Sequence, residues 1–165
     1  MLKFKAINLC LHFDLAVQFR RDSFNVSNVS NELSNASAEA VKKYRQYLDQ
    51  RVDNFPEGNV HVWENQYIIG QIESTPLSYN QGKIGHINLF YLAPSYRGLG
   101  LGKQLDYYIK DIFRSIGIKD LQLIVSSSNK KAIQFYCKYG WFFSCPPVKD
   151  FSSMNPTTML MKTNI

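Results

Sequence analysis

The chain has 165 residues, 45% hydrophobic and 19% charged, with 19 Lys and Arg against 13 Asp and Glu for a net charge of +6. A chain of this length buries roughly 70% of its unfolded surface, which suits one domain over 1–165 with a real core. No run of about 18 apolar residues is present to cross a membrane, and the scattered basic residues form no stripe interleaved with aromatics, which argues against a nucleic-acid partner.

In chain order, 5–10 is expected as a first strand and 14–24 as a first helix. Asn8, His12 and Asp14 interrupt the basic, apolar start before a signal-peptide core forms, so a cytoplasmic setting is expected. In that setting the Asn-x-Ser sequons at Asn25, Asn28 and Asn35 go unused. Cys10, Cys137 and Cys145 are odd in number, lack metal spacing and read as free thiols. Residues 25–37 are rich in Ser and Asn and bury little. A long helix runs from Ala36 or Ser37 to Asn54, with Val41, Tyr44, Tyr47, Leu48, Arg51 and Val52 near one face. Strands at 60–64 and 67–73 form a hairpin through Asn65-Gln66. Asn80-Gln81-Gly82 marks a turn, and 84–92 returns as a central strand.

Leu101, Leu105, Tyr108, Ile109, Ile112, Phe113 and Ile116 keep a helical period, and Gly117 supplies the stop. A strand at 121–125, a helix at 129–139 and strands at 141–145 and 157–162 complete the chain. The order β-α-α-β-β-β-α-β-α-β-β predicts an α/β (α+β) fold: one mixed, mostly antiparallel sheet of about seven strands flanked by helices.

The most informative segment is Asn88-Leu-Phe-Tyr-Leu-Ala-Pro-Ser-Tyr-Arg-Gly-Leu-Gly-Leu-Gly-Lys103. A strand that feeds a glycine loop at a helix N-terminus is a device for holding phosphate, because backbone N–H groups and the helix dipole both favour anionic oxygen. It is not a P-loop: Arg97 stands where the first glycine belongs, and Gln104 where the magnesium-binding hydroxyl belongs. It is not a dinucleotide fingerprint either, since Gly98, Gly100 and Gly102 are evenly spaced and Lys103 takes the last required glycine. By itself the loop could also be a simple flexible turn. A second block follows downstream: the apolar run Leu121 to Val125, three serines, then Asn129-Lys-Lys-Ala132-Ile-Gln-Phe-Tyr136-Cys-Lys-Tyr-Gly140-Trp141-Phe142.

The order Arg97-x-x-Gly100-x-Gly102 resembles the pyrophosphate loop of the GCN5-related N-acetyltransferases, the GNAT superfamily. The segment from Asn129 resembles that family's N-x-x-A-x-x-x-Y-x-x-x-G-[FW] pattern position for position. The resemblance is strong over 84–143. It implies an acyl-CoA N-acyltransferase-like fold and transfer of the acetyl group of acetyl-CoA, as co-substrate and without metal, to a primary amine by direct attack in a ternary complex. It also implies cofactor contacts from Phe90, Tyr91 and Leu92 through backbone, from the loop Arg97, Gly98, Leu99, Gly100, Leu101, Gly102 and Lys103, and from Asn129, Ala132 and Tyr136. A non-catalytic protein of the same fold that senses acyl-CoA is the alternative.

Acetyl transfer requires an amine that has lost its proton, and a free alkyl ammonium has a pKa of about 10.4. It also requires a stabilised oxyanion and a leaving thiolate. By resemblance Tyr136 protonates the thiolate; by periodicity alone it would be a core aromatic beside Phe135 and Tyr139. The base stays open between His86, on the strand before the loop, Glu73, at the end of the preceding strand, and a water relay. A histidine near 6.5 can take a proton at neutral pH. The acceptor, a small molecule or a peptide amine, is not specified, because the family builds that part of its cleft from segments that are here 25–37 and 144–156. A homodimer stays open as the assembly.

Overall fold

The computed structural model describes residues 1–27, 37–79, 82–144 and 158–165. Its elements follow the predicted order: β1 (Lys3–Ala6), α1 (Leu9–Ser27), α2 (Ala38–Asn54), β2 (Asn59–Glu64), β3 (Tyr67–Tyr79), β4 (Gly82–Leu92), α3 (Gly102–Ser115), β5 (Asp120–Ser126), α4 (Lys130–Lys138), β6 (Phe142–Phe143) and β7 (Thr158–Asn164). One seven-stranded sheet in the order β1-β2-β3-β4-β5-β7-β6 carries them, antiparallel except where β4 meets β5.

Several boundaries differ from the sequence reading, each for a local reason. The first strand ends at Ala6, because the Asn8 side chain accepts from the amides of Cys10 and Leu11 and starts α1 there. Cys10 is therefore helical, and α1 kinks at His12, where φ is −130° and ψ 20°. Ser37 caps α2 by accepting from the Ala40 amide at 3.1 Å. β3 runs six residues past Glu73 in spite of Pro76. Beyond the Asn59–Glu73 pair β2 has ended and β4 alone flanks β3, so a missing N–H is tolerated as on an edge strand. The turn at Asn80-Gln81, the sequons at Asn28 and Asn35, Cys145 and most of the two acceptor-side segments lie outside the described residues.

The sheet separates two packed layers. On one side, Leu105, Ile109 and Phe113 of α3 and Tyr136 of α4 pack with Ile72, Ile87, Leu121, Leu123 and Met161. On the other, Ala16 and Val17 of α1 pack with Ala40, Tyr44 and Leu48 of α2, and Phe19 packs with Leu89 and Tyr91 of β4. Full burial of one such side chain contributes about 1.5–3 kcal/mol. β4 thus contributes to both layers. No helix among the described residues is long and apolar enough to cross a membrane.

Candidate functional site

The site begins where β4 and β5 part. They pair in parallel only at Gly85–Leu121, His86–Gln122 and Ile87–Leu123, although β4 continues to Leu92 and β5 to Ser126. Gly85 allows the close start, since a Cβ there would meet the Leu121 side chain at 2.4 Å. Beyond Ile87, β4 keeps β3 on one side, through to the Gly70–Leu92 pair, and leaves its other edge open. An open strand edge offers a ladder of N–H and C=O groups to any extended chain with amides of its own.

That edge opens into a cleft of about 880 Å³. The wall brings together His86, Phe90, Tyr91, Leu92, Arg97, Gly98, Gly100, Gly102, Lys103, Asn129, Ala132 and Tyr136 from the sequence-predicted set. Leu99, Leu101 and Glu73 are not on it. Leu99 is exposed, and Leu101 packs toward the α3 core. Arg20, Lys131 and Lys138 also line the cleft, and no carboxylate does so among the described residues. Such a wall favours an anionic ligand.

The glycines of the loop serve different needs. Gly98 and Gly100 sit at φ +77° and +78°, where side chains are strained. Gly102 is the first residue of α3, and there the constraint is packing, because a Cβ would lie 2.8 Å from the Phe135 ring. The amides of Gly98, Leu99, Gly100 and Leu101 donate to no other backbone group among the described residues. They stand at a helix N-terminus, where anionic oxygen is favoured. Arg97 folds back, donating Nε to the Leu92 carbonyl at 2.7 Å with its guanidinium 5.2 Å from the Tyr91 ring centroid.

The opposite wall is α4. Asn129 caps it by accepting from the Ala132 amide. Tyr136 lies among Phe90, Phe135 and Trp141, with ring centroids 5.3–6.2 Å away. Burial, then the Asp106 carboxylate, push its phenol well above the ordinary value. Trp141 is fixed from beneath, since its Nε1 donates to Asp106, which also pairs with Lys110 at 2.8 Å.

The two residues considered as bases differ sharply. His86 reaches the cleft, and burial together with the Arg51 charge hold it at about 4, so it is neutral at pH 7. Glu73 is fully buried on the α1/α2 side of the sheet, accepting from Tyr44 at 2.6 Å and Gln71 at 2.8 Å and pairing with Arg20 at 3.3 Å. Arg20, Tyr44 and Gln71 were not singled out as site residues by sequence. They lie far apart along the chain, in no motif.

Residues 25–141 match the model of the Acetyltransferase (GNAT) family. The chain belongs to that family. A glucosamine 6-phosphate N-acetyltransferase of Trypanosoma brucei brucei is 40% identical over 58 residues, 35% of this chain and 37% of that enzyme. The chain thus matches well under half the length of this relative. Among solved structures, PaiA N-acetyltransferase from Thermoplasma acidophilum in complex with coenzyme A superposes over 100% of this chain and 99% of its own, with a TM-score of 0.76 at 17% identity. Arabidopsis thaliana Naa50 in complex with a bisubstrate analogue covers 99% of both chains, with a TM-score of 0.68 at 16% identity. At these identities the likeness is one of fold.

Proposed function

We propose that this acetyltransferase-family protein is an acetyl-CoA-dependent N-acetyltransferase, which moves the acetyl group to a primary amine by direct attack in a ternary complex. The carrying observation is a single cleft in which the open edge of β4, the glycine loop and Tyr136 meet. These parts fit the donor in order: the loop amides and Lys103 suit a pyrophosphate, and the open edge suits an amide-containing arm.

In the reaction the amine nitrogen bonds to the acetyl carbon, the carbon–sulfur bond breaks and the sulfur takes a proton. A backbone N–H of the open edge is the donor for the oxyanion, a contribution often worth a few kcal/mol. Tyr136 is the donor toward sulfur. Its raised pKa keeps the phenol protonated, and against a thiol near pKa 8.5 full transfer is uphill. Its help is therefore greatest as a hydrogen bond to sulfur while charge develops there.

The amine must arrive without its proton. A wall of cations with no described carboxylate disfavours an ammonium ion and lowers its pKa. His86, at about 4, is a weak proton acceptor for such a group, and Glu73 is buried among its own partners. A water chain from the cleft is the base we favour, with His86 on the same wall. The same wall suits an acceptor without surplus positive charge, and the relative named for glucosamine 6-phosphate is consistent with a small amine of that kind.

Two measurements test this reading. CoA or acetyl-CoA should raise the melting temperature with no metal added, and mixing acetyl-CoA with a panel of amines should release thiol. No stabilisation at millimolar CoA would overturn the reading. Stabilisation without thiol release from any amine would favour the acyl-CoA sensor.

A further inference from the structure

β4 carries one residue too many at Asn88. Glu73 pairs with Leu89 and Ser74 pairs with Ile87, so Asn88 has no partner on β3. Pairing with β5 has already ended at Ile87. A bulged residue bends its strand and leaves its main-chain groups outside the ladder, so something else must fix its orientation.

Two arginines do so from two helices. Arg20 of α1 donates Nη1 to the Asn88 main-chain carbonyl at 2.8 Å, and Arg51 of α2 donates Nη1 to the Asn88 side-chain oxygen at 3.2 Å. Arg20 is itself held, its Nη1 lying 3.3 Å from Glu73 Oε2 with its guanidinium over the Phe24 ring. Glu73 in turn receives the Tyr44 hydroxyl and Gln71 Nε2, and Gln71 Oε1 lies 3.0 Å from His61 Nε2. One buried chain of hydrogen bonds thus runs from His61 in β2 to the backbone of the bulge.

We infer that Arg20 is a positioning residue of the transfer reaction: with Glu73 as its buried counter-ion, it fixes the Asn88 bulge and so aims the open edge of β4 into the cleft. This rests on the acetyltransferase reading above, and it gives Glu73 a part other than proton acceptor. The one Arg20 nitrogen serves both the carboxylate and the carbonyl. Its loss leaves a buried charge and a buried acceptor uncompensated at the point where the strand turns outward. Misplacement by about 1 Å costs on the order of 10²-fold in rate.

The test compares Arg20→Met, Arg20→Lys and Glu73→Gln with the wild type, after thermal melting has verified that each is folded. Amide hydrogen exchange at 88–90 should quicken about tenfold or more in Arg20→Met and Glu73→Gln, while 121–125 in β5 exchanges as before. With the amine that the panel identifies, kcat should fall by about 10²-fold in both. The pH–rate profile should keep its shape, and Arg20→Lys should recover most of the loss. Unchanged exchange at 88–90 in folded Arg20→Met would overturn the inference. So would a Glu73→Gln enzyme that loses the acidic limb of the profile while Arg20→Met keeps it, since that is the mark of a base. Should Arg20→Met fail to fold, exchange in Glu73→Gln decides the same question. If wild type releases no thiol with any amine, the acetyltransferase reading fails, and exchange alone then upholds or overturns the anchoring of the bulge by Arg20.

Discussion

β4 is packed by α3 and α4 on one side and by α1 and α2 on the other, and the two sides are built on different rules. Toward α3 and α4 the contacts are mostly aliphatic and aromatic, with a buried Asp106 held by Lys110 and the Trp141 Nε1. Toward α1 and α2, Phe19, Ala16 and Leu48 enclose a buried polar chain of His61, Gln71, Tyr44, Glu73 and Arg20. The difference teaches which wall tolerates change. An apolar wall loses contacts by degrees, whereas a buried polar network is costly once any member is left unsatisfied.

Acid should expose that contrast most strongly. Burial holds His61 at about 4, with the Gln71 hydrogen bond opposing the shift and the His12 charge adding to it. His86 stands at about 4 for burial and the Arg51 charge. Both values lie below the unfolded 6.5, so between these limits the unfolded chain binds more protons. The stability that these groups confer is full above pH 6.5 and is lost as pH falls toward 4, by roughly 3 kcal/mol for each histidine. Denaturant melts from pH 7 to 4 should show this loss, and His61→Gln and His86→Gln should each flatten the slope. Stability that is level across the window would mean that the two rings are hydrated.

The second effect belongs to chemistry on the apolar side. Tyr136→Phe keeps the ring among Phe90, Phe135 and Trp141 and deletes only the hydroxyl. CoA affinity should hold, and kcat should fall toward the lower part of the roughly 10²- to 10⁴-fold range of general acid catalysis, because full proton transfer is uphill. Unchanged kcat with an acceptor in hand would leave Tyr136 as a packing residue.

The apolar side is also the side that sequence made legible. Its loop and its Asn129–Trp141 segment are each contiguous, so most of the proposed cofactor contacts fall inside two short windows. The element order, and with it the mixed sheet, followed from periodicity and turn residues. The polar side is assembled from residues 20, 44, 61, 71 and 73, and only the fold brings them together. Glu73 stood out because the sequence pattern ends a hairpin strand there, but such a position does not reveal which way a side chain points or what meets it, and β3 in fact continues to Tyr79. The bulge at Asn88 was equally hidden. Alternation along 84–92 puts His86 and Asn88 on one face, and an extra residue registers only against the paired strand.

A third effect divides the loop glycines by mechanism. Gly100→Val forces a branched side chain to φ +78°, with nothing within 4 Å to crowd it, and CoA affinity should drop roughly tenfold to a hundredfold from backbone strain. Gly102→Ala meets the Phe135 ring instead, and Phe135→Leu should relieve part of that loss. Calorimetry on the single and double variants would decide, and relief of Gly100→Val by Phe135→Leu would contradict the division.

The smallest effect should come from Arg97. It is the most conspicuous cation of the loop, yet it is exposed, and its Nε is already committed to the Leu92 carbonyl. An exposed charge in water contributes about 1 kcal/mol or less, so Arg97→Ala should weaken CoA binding only roughly two- to fivefold, with a shallower salt dependence. Arg97→Lys then separates charge from bracing. Lysine keeps the positive charge but cannot lay a planar guanidinium near Tyr91 while donating to the strand end. If Arg97→Lys binds CoA as tightly as the wild type, Arg97 is a rim charge that attracts phosphate. Binding as weak as in Arg97→Ala, at every salt concentration, would make it a brace that holds the end of β4 against the loop. It would then do at the last residue of the open edge what Arg20 does at the first.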